Sequence, residues 1–265
     1  MPKSKFPVML TFDLDGESLP LAQDPSNASR PGILSQAAYG PKVGVHRILE
    51  MLDAEGVLAT FFVPGIIVES YSRTVEAIHQ AGHEIAHHGY THHSPRVFNP
   101  QQEEEDLLRA GKVIEDITGY FPEGYRSPSW DFSDVTLELL HKHDFTYSSN
   151  LMDSDEPYVH EIEGEQSSLV ELPVQWILDD APFFLYRPPY NRPISPVSAV
   201  LETWQGEFDA LYKEDNKCFV LTLHPQLSGR PSRVKMLRDF IRNIKKNYSR
   251  SEFGTCRDVA SRFLP

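Results

Sequence analysis

Short apolar or β-branched runs alternate along the chain with segments of helical hydrophobic periodicity. The strand-like runs are Val8–Leu14, Leu58–Pro64, Glu84–His88, Gly124–Ser127, Thr146–Leu151, Leu169–Trp176 and Phe219–His224. The helical patterns are Val43–Glu55, Ser72–Ala81, the segment from Asn99-Pro100 to Gly119, a segment opened by Ser133, and Pro231–Lys246. This alternation predicts an α/β fold with a parallel sheet, either open or closed into a barrel. Because no Gly/Ser-rich linker or composition break interrupts it, residues 1–265 are predicted to form a single domain.

Three longer stretches carry neither pattern: Glu17–Pro41, Asp153–Ser168 and the proline- and aromatic-rich Asp179–Pro196. Loops of this length in a compact domain are usually functional. In parallel βα folds the active site lies at the carboxyl ends of the strands. We therefore expect polar side chains to collect there, and we hypothesise that the loops at 17–41 and 179–196 roof a pocket.

The composition and charge of the chain argue against several classes of function. The chain has 25 Lys and Arg against 38 Asp and Glu, a net charge of −13, which argues against binding to nucleic acid or an anionic membrane. Hydrophobic residues at 40% are typical of a globular protein. No apolar run approaches the roughly 18 residues that span a bilayer. The start lacks the apolar stretch of a secretory signal, so we expect a cytoplasmic location, with Cys218 and Cys256 reduced.

Two carboxylates follow the first predicted strand, in the segment Thr11–Glu17. Residues i and i+2 of a strand point to the same face, so Asp13 and Asp15 can converge on one site. Two close carboxylates raise each other's pKa unless a cation lies between them. The motif is compatible with a divalent metal site and equally with a solvated strand end that enters a turn.

Five histidines lie within the eleven residues 83–93. Imidazole is a common ligand of Zn²⁺, Co²⁺ and Ni²⁺, and two histidines at i and i+4 can reach one ion from a helical turn. His88 and His92 form one such pair, and His83 and His87 form another. Isolated histidines are more often packed side chains without a metal. Because carboxylates end the first strand, we favour a metal for the first pair.

The second pair also matches the metalloprotease pattern His-Glu-x-x-His, with Glu84 in the middle. That pattern requires one continuous helix. Gly82 and Gly89 would each destabilise such a helix by about 1 kcal/mol. Since Glu84–His88 is predicted to be a strand, a metalloprotease is a remote alternative.

Two further polar residues end predicted strands. Arg126 could hold a carboxylate ionised through a bidentate pair, although a lone arginine more often forms a surface ion pair. His224 ends the last predicted strand and could act as a general acid at neutral pH, or could simply pack there.

Four separated segments together resemble the polysaccharide deacetylase (NodB-homology) family. Thr11–Gly16 resembles its Thr-Phe-Asp-Asp-Gly motif with Leu14 inserted, and His88–His92 resembles His-Ser/Thr-x-x-His with glycine at the second position. Arg126–Trp130 matches Arg-x-Pro-x-Trp/Tyr, and Leu223-His224 resembles Leu-x-His without the spacer. The Asp-x-Asp spacing is similar to a cytosolic subgroup of Helicobacter-type peptidoglycan deacetylase homologues, allantoinase-like proteins and cyclic imide hydrolases.

The resemblance implies a distorted (β/α) barrel of seven or eight parallel strands. It also implies a metal-dependent hydrolase of carbon–nitrogen bonds other than peptide bonds. In this family's pattern Asp15, His88 and His92 would bind one divalent metal. Zinc is expected, with cobalt or nickel as alternatives.

The same resemblance implies roles for the other residues. Asp13 would be the base that deprotonates water, and Arg126 would orient Asp13. His224 would protonate the leaving nitrogen. Trp130 and Tyr90 would contact the substrate.

The resemblance leaves the substrate open. From the loops and the missing export signal we expect a small cyclic amide or imide, or a soluble N-acetylated compound, in a pocket walled by the apolar part of Pro182–Tyr190. The alternative is a polysaccharide or peptidoglycan N-acetylglucosamine deacetylase. A non-catalytic binding protein is a remote alternative, since every expected catalytic group is present. The subgroup and the aromatic loops predict a homo-oligomer, a dimer or tetramer.

Overall fold

Nine strands and twelve α-helices lie in residues 4–186 and 193–264, the part of the chain that this computed structural model describes. The strands are β1 (Phe6–Asp13), β2 (Thr60–Val63), β3 (Glu84–His87), β4 (Gly124–Tyr125), β5 (Tyr147–Ser148), β6 (Tyr158–Ile162), β7 (Glu165–Glu171), β8 (Phe219–Leu223) and β9 (Ser251–Phe253). The helices are α1 (Ser18–Gln23), α2 (Pro31–Tyr39), α3 (Val45–Glu55), α4 (Gly65–Ser70), α5 (Ser72–Gln80), α6 (Pro100–Thr118), α7 (Thr136–Lys142), α8 (Ala181–Phe184), α9 (Val197–Leu211), α10 (Pro225–Ser228), α11 (Pro231–Asn247) and α12 (Cys256–Ala260).

The strands form one sheet in the order β6-β7-β5-β4-β3-β2-β1-β8, with β9 paired to the first residues of β1. Every strand pair is parallel except β6 with β7. The predicted α/β class and parallel sheet are therefore confirmed. All eight residues of β1 are buried, as expected for a parallel strand covered on both faces.

Alternation along β1 separates two environments. Val8, Leu10 and Phe12 belong to the large apolar cluster that also contains residues of α3, α9 and α11. Met9 belongs to the cluster on the other face of the sheet. Since side chains alternate along a strand, Asp13 lies on the same face as Met9, at the carboxyl end of β1.

The two edges of the sheet approach each other without forming a continuous ladder in the described residues. Beyond β7, Asp179 makes a single parallel bridge with Thr222 of β8. The amide of Asp180 donates to the carbonyl oxygen of Thr222 at 3.1 Å. The predicted barrel is thus seen as an open sheet whose edges meet at one point. That point places two aspartates beside the carboxyl end of β8.

The ends of α6 follow the signals in the sequence. The side chain of Asn99 accepts from the backbone N–H of Gln102, while the Gln102 side chain accepts from the backbone N–H of Asn99. This reciprocal pair satisfies two of the amides that a helix leaves unpaired at its start. The helix ends at Gly119, whose φ of +83° favours glycine.

A π-helical turn at Gly40–Gly44 precedes α3, which therefore begins two residues later than predicted. The turn packs directly against α10. A Cβ atom at Gly44 would lie 2.2 Å from the carbonyl oxygen of Pro225, so only glycine fits. Residues 40–44 thereby fix the segment that follows His224.

Two stretches expected to be irregular are regular. Glu17–Pro41 holds α1, α2 and a 3₁₀ turn at Pro25–Ser29. Asp153–Ser168 holds β6 and the start of β7, which form an antiparallel hairpin. Its two-residue turn has positive φ at Glu163 (53°) and Gly164 (82°), as a type I′ turn requires. The prediction was wrong because β6 is only partly buried, so it carries no apolar run.

The third stretch, Asp179–Pro196, contains α8. Residues 187–192, including the last four of the predicted pocket wall at Pro182–Tyr190, lie outside the described residues.

Cys218 and Cys256 are buried free thiols. In the described ranges, none of the helices combines the length and apolar character needed to cross a bilayer.

Candidate active site

Segments at the carboxyl ends of four strands bring six of the predicted residues to one edge of the sheet. Asp13 ends β1 and Asp15 follows it, whereas His88 comes directly after β3. Arg126 follows β4 and His224 follows β8. His92 joins them from a loop in which Gly89 (φ 70°) and His92 itself (φ 63°) have left-handed backbone conformations. The two histidines therefore converge through a tight loop and not through a helical turn, and glycine occupies one of the two positions with positive φ.

Asp15, His88 and His92 present ligand atoms to one point. Asp15 Oδ1 lies 3.5 Å from His88 Nε2 and 3.3 Å from His92 Nε2. Asp15 is 1% exposed, and its Oδ1 has no hydrogen-bond partner. His88 Nδ1 donates to the backbone oxygen of Arg126 at 2.7 Å, which leaves the Nε2 lone pair directed at the group. Two imidazoles and a carboxylate at these separations form a candidate site for a divalent metal.

The charge state of Asp15 suits this role. Burial acts to raise the pKa of Asp15, but His92, His88 and His224 outweigh it and hold that pKa well below its ordinary range. The carboxylate is therefore ionised, as a metal ligand must be.

Arg126 holds Asp13. Its fully buried guanidinium donates from Nη1 to Asp13 Oδ1 and to Thr11 Oγ1, both at 2.8 Å. Its Nε and Nη2 donate to the backbone oxygen and hydroxyl of Ser149. The guanidinium carbon also lies 4.1 Å from the ring centroid of Phe62. The contact with Arg126 occupies Asp13 Oδ1. It leaves Asp13 Oδ2 available for the site, 4.0 Å from His88 Nε2.

His224 is oriented by two aspartates. Its Nδ1 donates to Asp180 Oδ1 at 2.7 Å and lies 3.7 Å from Asp179 Oδ1. The backbone N–H of His224 and the hydroxyl of Ser228 donate to Asp180 Oδ2. The Nε2 atom points back to the site, 3.7 Å from Asp15 Oδ2.

The same two carboxylates control the protonation of His224. Burial acts to lower the pKa of His224, but Asp179 and Asp180 outweigh it and raise that pKa well above its ordinary value. Burial raises the pKa of Asp179 to about 7, a shift that His224 opposes and Asp180 reinforces. The two aspartates thus favour the protonated imidazole, in which Nε2 carries an N–H towards the site.

A cavity of about 130 Å³ is lined by six of these residues: Asp13, Asp15, His88, His92, Asp179 and His224. Trp130 lies in its wall, with its ring centroid 4.3 Å from that of Trp176, which is 46% exposed. Leu19 of α1 and Leu185, directly after α8, also line it. Both stretches hypothesised to roof a pocket, 17–41 and 179–196, therefore contribute side chains.

Tyr90 is not brought to this cavity. Its hydroxyl donates to Glu69 Oε2 at 2.8 Å and accepts from Arg109, whose guanidinium carbon lies 3.7 Å from the ring centroid. A Cβ atom at Gly65 would lie 2.5 Å from the ring. These contacts place Tyr90 between α4 and α6, so the geometry does not support its predicted contact with substrate.

The metalloprotease pattern lacks its helix. Glu84–His87 is strand β3, and the Glu84 carboxylate accepts from the hydroxyls of Thr60 and Tyr147. Burial lowers the pKa of both His83 and His87 to about 4. These residues are packed, hydrogen-bonded side chains below the site.

Sequence reasoning assigned no role to Asp179, Asp180, Trp176 or Gln226, which lies in the cavity wall. The aspartate doublet was visible after an apolar run, and paired carboxylates at such a position are a usable signal. Nothing in the sequence indicated that this segment pairs with β8, so its partner could not be named.

Comparison with known proteins gives concordant matches. A family model described as polysaccharide deacetylase matches residues 2–148. A peptidoglycan deacetylase from Helicobacter pylori is 33% identical over 259 residues, covering 88% of each chain.

Solved structures agree. A protein from Mycobacterium smegmatis assigned to the polysaccharide deacetylases superposes with a TM-score of 0.93 and 40% identity, over 99% of this chain and 91% of that one. An allantoinase superposes with a TM-score of 0.82 over 98% and 90%, but at 24% identity it shows the fold alone. The predictions of a cytoplasmic location and of a homo-oligomer stay predictions. The family match and the Helicobacter relative show that the chain belongs to the polysaccharide deacetylase family and is a hydrolase of carbon–nitrogen bonds other than peptide bonds.

Proposed function

We propose that this protein removes the acetyl group from the amide nitrogen of an N-acetylglucosamine-type saccharide. The observation that carries the proposal is the convergence, in one cavity, of a metal-ligand set, a positioned carboxylate and a histidine held as an acid. The 33% identical Helicobacter relative, named a peptidoglycan deacetylase, supports this substrate class.

The residues present fit a divalent metal. Asp15 contributes a buried carboxylate oxygen without a hydrogen-bond partner, and His88 and His92 contribute Nε2 atoms beside it. We propose zinc, because a mixed imidazole and carboxylate set suits it, with cobalt or nickel as substitutes. When bound, the ion would supply Lewis-acid polarisation of the amide carbonyl and a water of lowered pKa.

Asp13 acts as the general base in this proposal. Its Oδ2 is free to accept a proton from the attacking water, because Oδ1 is held by Arg126. The guanidinium also keeps the carboxylate in place through the reaction. The oxygen of that water forms the new bond to the acetyl carbon.

His224 acts as the general acid. Its Nδ1 is engaged by Asp180, so Nε2 is the atom that donates a proton. The leaving nitrogen takes that proton as the carbon–nitrogen bond breaks, giving acetate and a free amine. Trp130 and Trp176 would hold the substrate beside these groups.

The cavity also favours a second candidate, hydrolysis of a small cyclic amide or imide. At about 130 Å³, with Leu19 and Leu185 in its wall, the cavity is better matched to a small ring than to a long polymer. The chemistry of the base and acid would be the same. One assay separates the two candidates.

That assay supplies the metal-loaded protein with an N-acetylglucosamine oligomer and, separately, with succinimide. Released acetate and loss of ring absorbance are followed in parallel. Acetate release supports the deacetylase, and ring opening alone would replace it by the second candidate. Absence of both reactions would refute the proposed function.

Metal binding is testable without turnover. Zinc at about 100 times its dissociation constant should stabilise the chelator-treated protein by about 2.7 kcal/mol, seen as a rise in Tm. His88→Ala and His92→Ala should each remove most of that rise, because each deletes a ligand atom. His141→Ala, at an exposed helix position, is the matched control. A full zinc response in the His88 and His92 variants would refute this ligand set.

Asp180→Asn should move the alkaline limb of the kcat/KM profile to lower pH. Asp179 and Asp180 raise the pKa of His224, so the protonated acid persists above its ordinary range and is lost as pH rises through that raised pKa. Removing one of the two charges lowers the pKa, so the loss begins sooner. The measurement is the pH dependence of kcat/KM for wild type, for Asp180→Asn and for the exposed control Asp239→Asn. If the alkaline limbs of wild type and Asp180→Asn coincide, the role of Asp180 is contradicted.

A further inference from the structure

Gln226 stands out by its unpaired carboxamide. In the described part of the chain, buried side-chain nitrogen or oxygen atoms without a hydrogen-bond partner occur in Asp15, Glu17, Gln226, Arg238 and Ser251. Gln226 is the member of this set in which both polar atoms, Nε2 and Oε1, lack a partner. Native proteins pair nearly all buried polar groups, so each exception calls for a cause.

The position of Gln226 suggests that cause. Among these five residues, Asp15 and Gln226 line the active-site cavity. The metal proposed above would account for the unpaired oxygen of Asp15. Gln226 is 4% exposed and follows His224 by two residues, so its carboxamide belongs to the same site.

The backbone around Gln226 is fixed. Pro225–Ser228 is helical, and its Leu227 and Ser228 amides donate to the His224 carbonyl oxygen at 2.8 Å. A Cβ atom at Gly40 would lie 3.1 Å from both the backbone nitrogen and Oε1 of Gln226, so the π-helical turn packs against this side chain. The backbone of Gln226 is therefore held in place, whereas its carboxamide has no hydrogen-bond partner.

Gln226 lies in a partition between two cavities. Together with Leu19 and Leu185 it lines both the active-site cavity and a smaller one bounded by α1 and α2. The polar atoms are covered in this arrangement. Rotation of the carboxamide about its side-chain torsions would turn these atoms towards a molecule in the active site.

We propose that Gln226 binds a substrate edge that carries a hydrogen-bond donor and an acceptor side by side. Its planar carboxamide offers an acceptor (Oε1) and a donor (Nε2) in the same direction. Two neighbouring hydroxyls of a saccharide complement this pair, as does the cis C(=O)–N–H edge of a ring amide. A trans acetamide does not, because its C=O and N–H point in opposite directions. Gln226 thus recognises a part of the substrate other than a scissile acetamide.

This inference rests on the proposed function and deepens it. The test compares wild type with Gln226→Met, which keeps the length of the side chain but can neither donate nor accept strongly. The substrates are an N-acetylglucosamine oligomer, succinimide, and 4-nitroacetanilide, an acetamide with no hydroxyl and no ring amide. Gln80→Met, at an exposed helix end, is the matched control.

We expect Gln226→Met to raise KM about 10- to 100-fold for whichever of the oligomer and the imide wild type hydrolyses, with kcat within about threefold. KM for 4-nitroacetanilide should stay within about threefold. The Tm should not fall, because the change removes two buried groups that have no partner. The substrate that shows the KM effect identifies whether hydroxyls or a ring amide supply the edge.

Several results would overturn the inference. If Gln226→Met keeps the wild-type KM for both the oligomer and the imide, the inference is overturned while the proposed function stays intact. Equal losses on all substrates with a lower Tm would assign Gln226 a structural role. If wild type hydrolyses 4-nitroacetanilide but neither the oligomer nor the imide, no edge-bearing molecule is a substrate and the inference fails. If wild type hydrolyses none of the three, the proposed function fails and the inference fails with it. Should Gln226→Met not fold, Gln226→Asn, which shortens the reach by one methylene, must show the same substrate selectivity.

Discussion

Replacement of Asp13 by Asn should lower kcat by about 10²- to 10⁴-fold, the usual contribution of a general base. The asparagine side-chain oxygen can still accept from Arg126, but the amide cannot take a proton from water. Metal content should stay at the wild-type level, because the ligand atoms belong to Asp15, His88 and His92. The measurements are acetate release or ring opening at saturating substrate, and metal per chain after dialysis.

Asp116→Asn is the control for that experiment. Asp116 is 63% exposed and pairs with Lys112 on the surface of α6, so its loss should leave kcat unchanged. Wild-type kcat in Asp13→Asn would remove Asp13 from the mechanism. Loss of both metal and activity would instead show that Asp13 acts as a ligand.

Arg126→Met should lower the free energy of unfolding by about 3–5 kcal/mol, the usual effect of removing one partner of a buried ion pair. Arg126 is fully buried, and its removal leaves the Asp13 carboxylate uncompensated and two Ser149 acceptors unpaired. Denaturant unfolding of the chelator-treated protein measures the effect without a metal to offset the charge of Asp13.

Two further variants test the cause of that effect. Arg262→Met removes a surface partner of Glu252 and should change the free energy by less than about 1 kcal/mol. Asp13→Asn combined with Arg126→Met should be less destabilised than the sum of the single changes, because the uncompensated charge is gone. Strict additivity, or a loss below about 1 kcal/mol for Arg126→Met alone, would show that the pair does not hold the site.

The local features of the site could be predicted from the sequence, because each depends on residues that lie close together in the chain. Asp13 and Asp15 point to the same face because side chains alternate between the two faces of a strand. His88 and His92 are separated by one short loop. Their meeting with Arg126 and His224 also follows from the parallel sheet, whose carboxyl ends share one edge. For the same reason Glu84, inside β3, was correctly kept apart from a helical protease site.

Other features depend on contacts between distant segments, and these were missed. Tyr90 lies two residues from His88 and looked equally placed, yet its ring packs between α4 and α6. The β6–β7 hairpin was missed because β6 is only partly buried and carries no apolar run.

The sequence by itself determined the α/β class, the parallel strands and the residue types for a metal, a base and an acid, because hydrophobic period and strand ends are local properties. Only the tertiary structure decided which carboxylates hold His224 and which polar side chain lies unpaired in the cavity wall. Asp180 reaches His224 because the segment after β7 pairs with β8, about 40 residues further along the chain. The backbone of Gln226 is fixed because the turn at 40–44, which has glycine at both ends, packs against α10. Contacts between segments so far apart depend on how the whole sheet is assembled, which no spacing along the chain encodes.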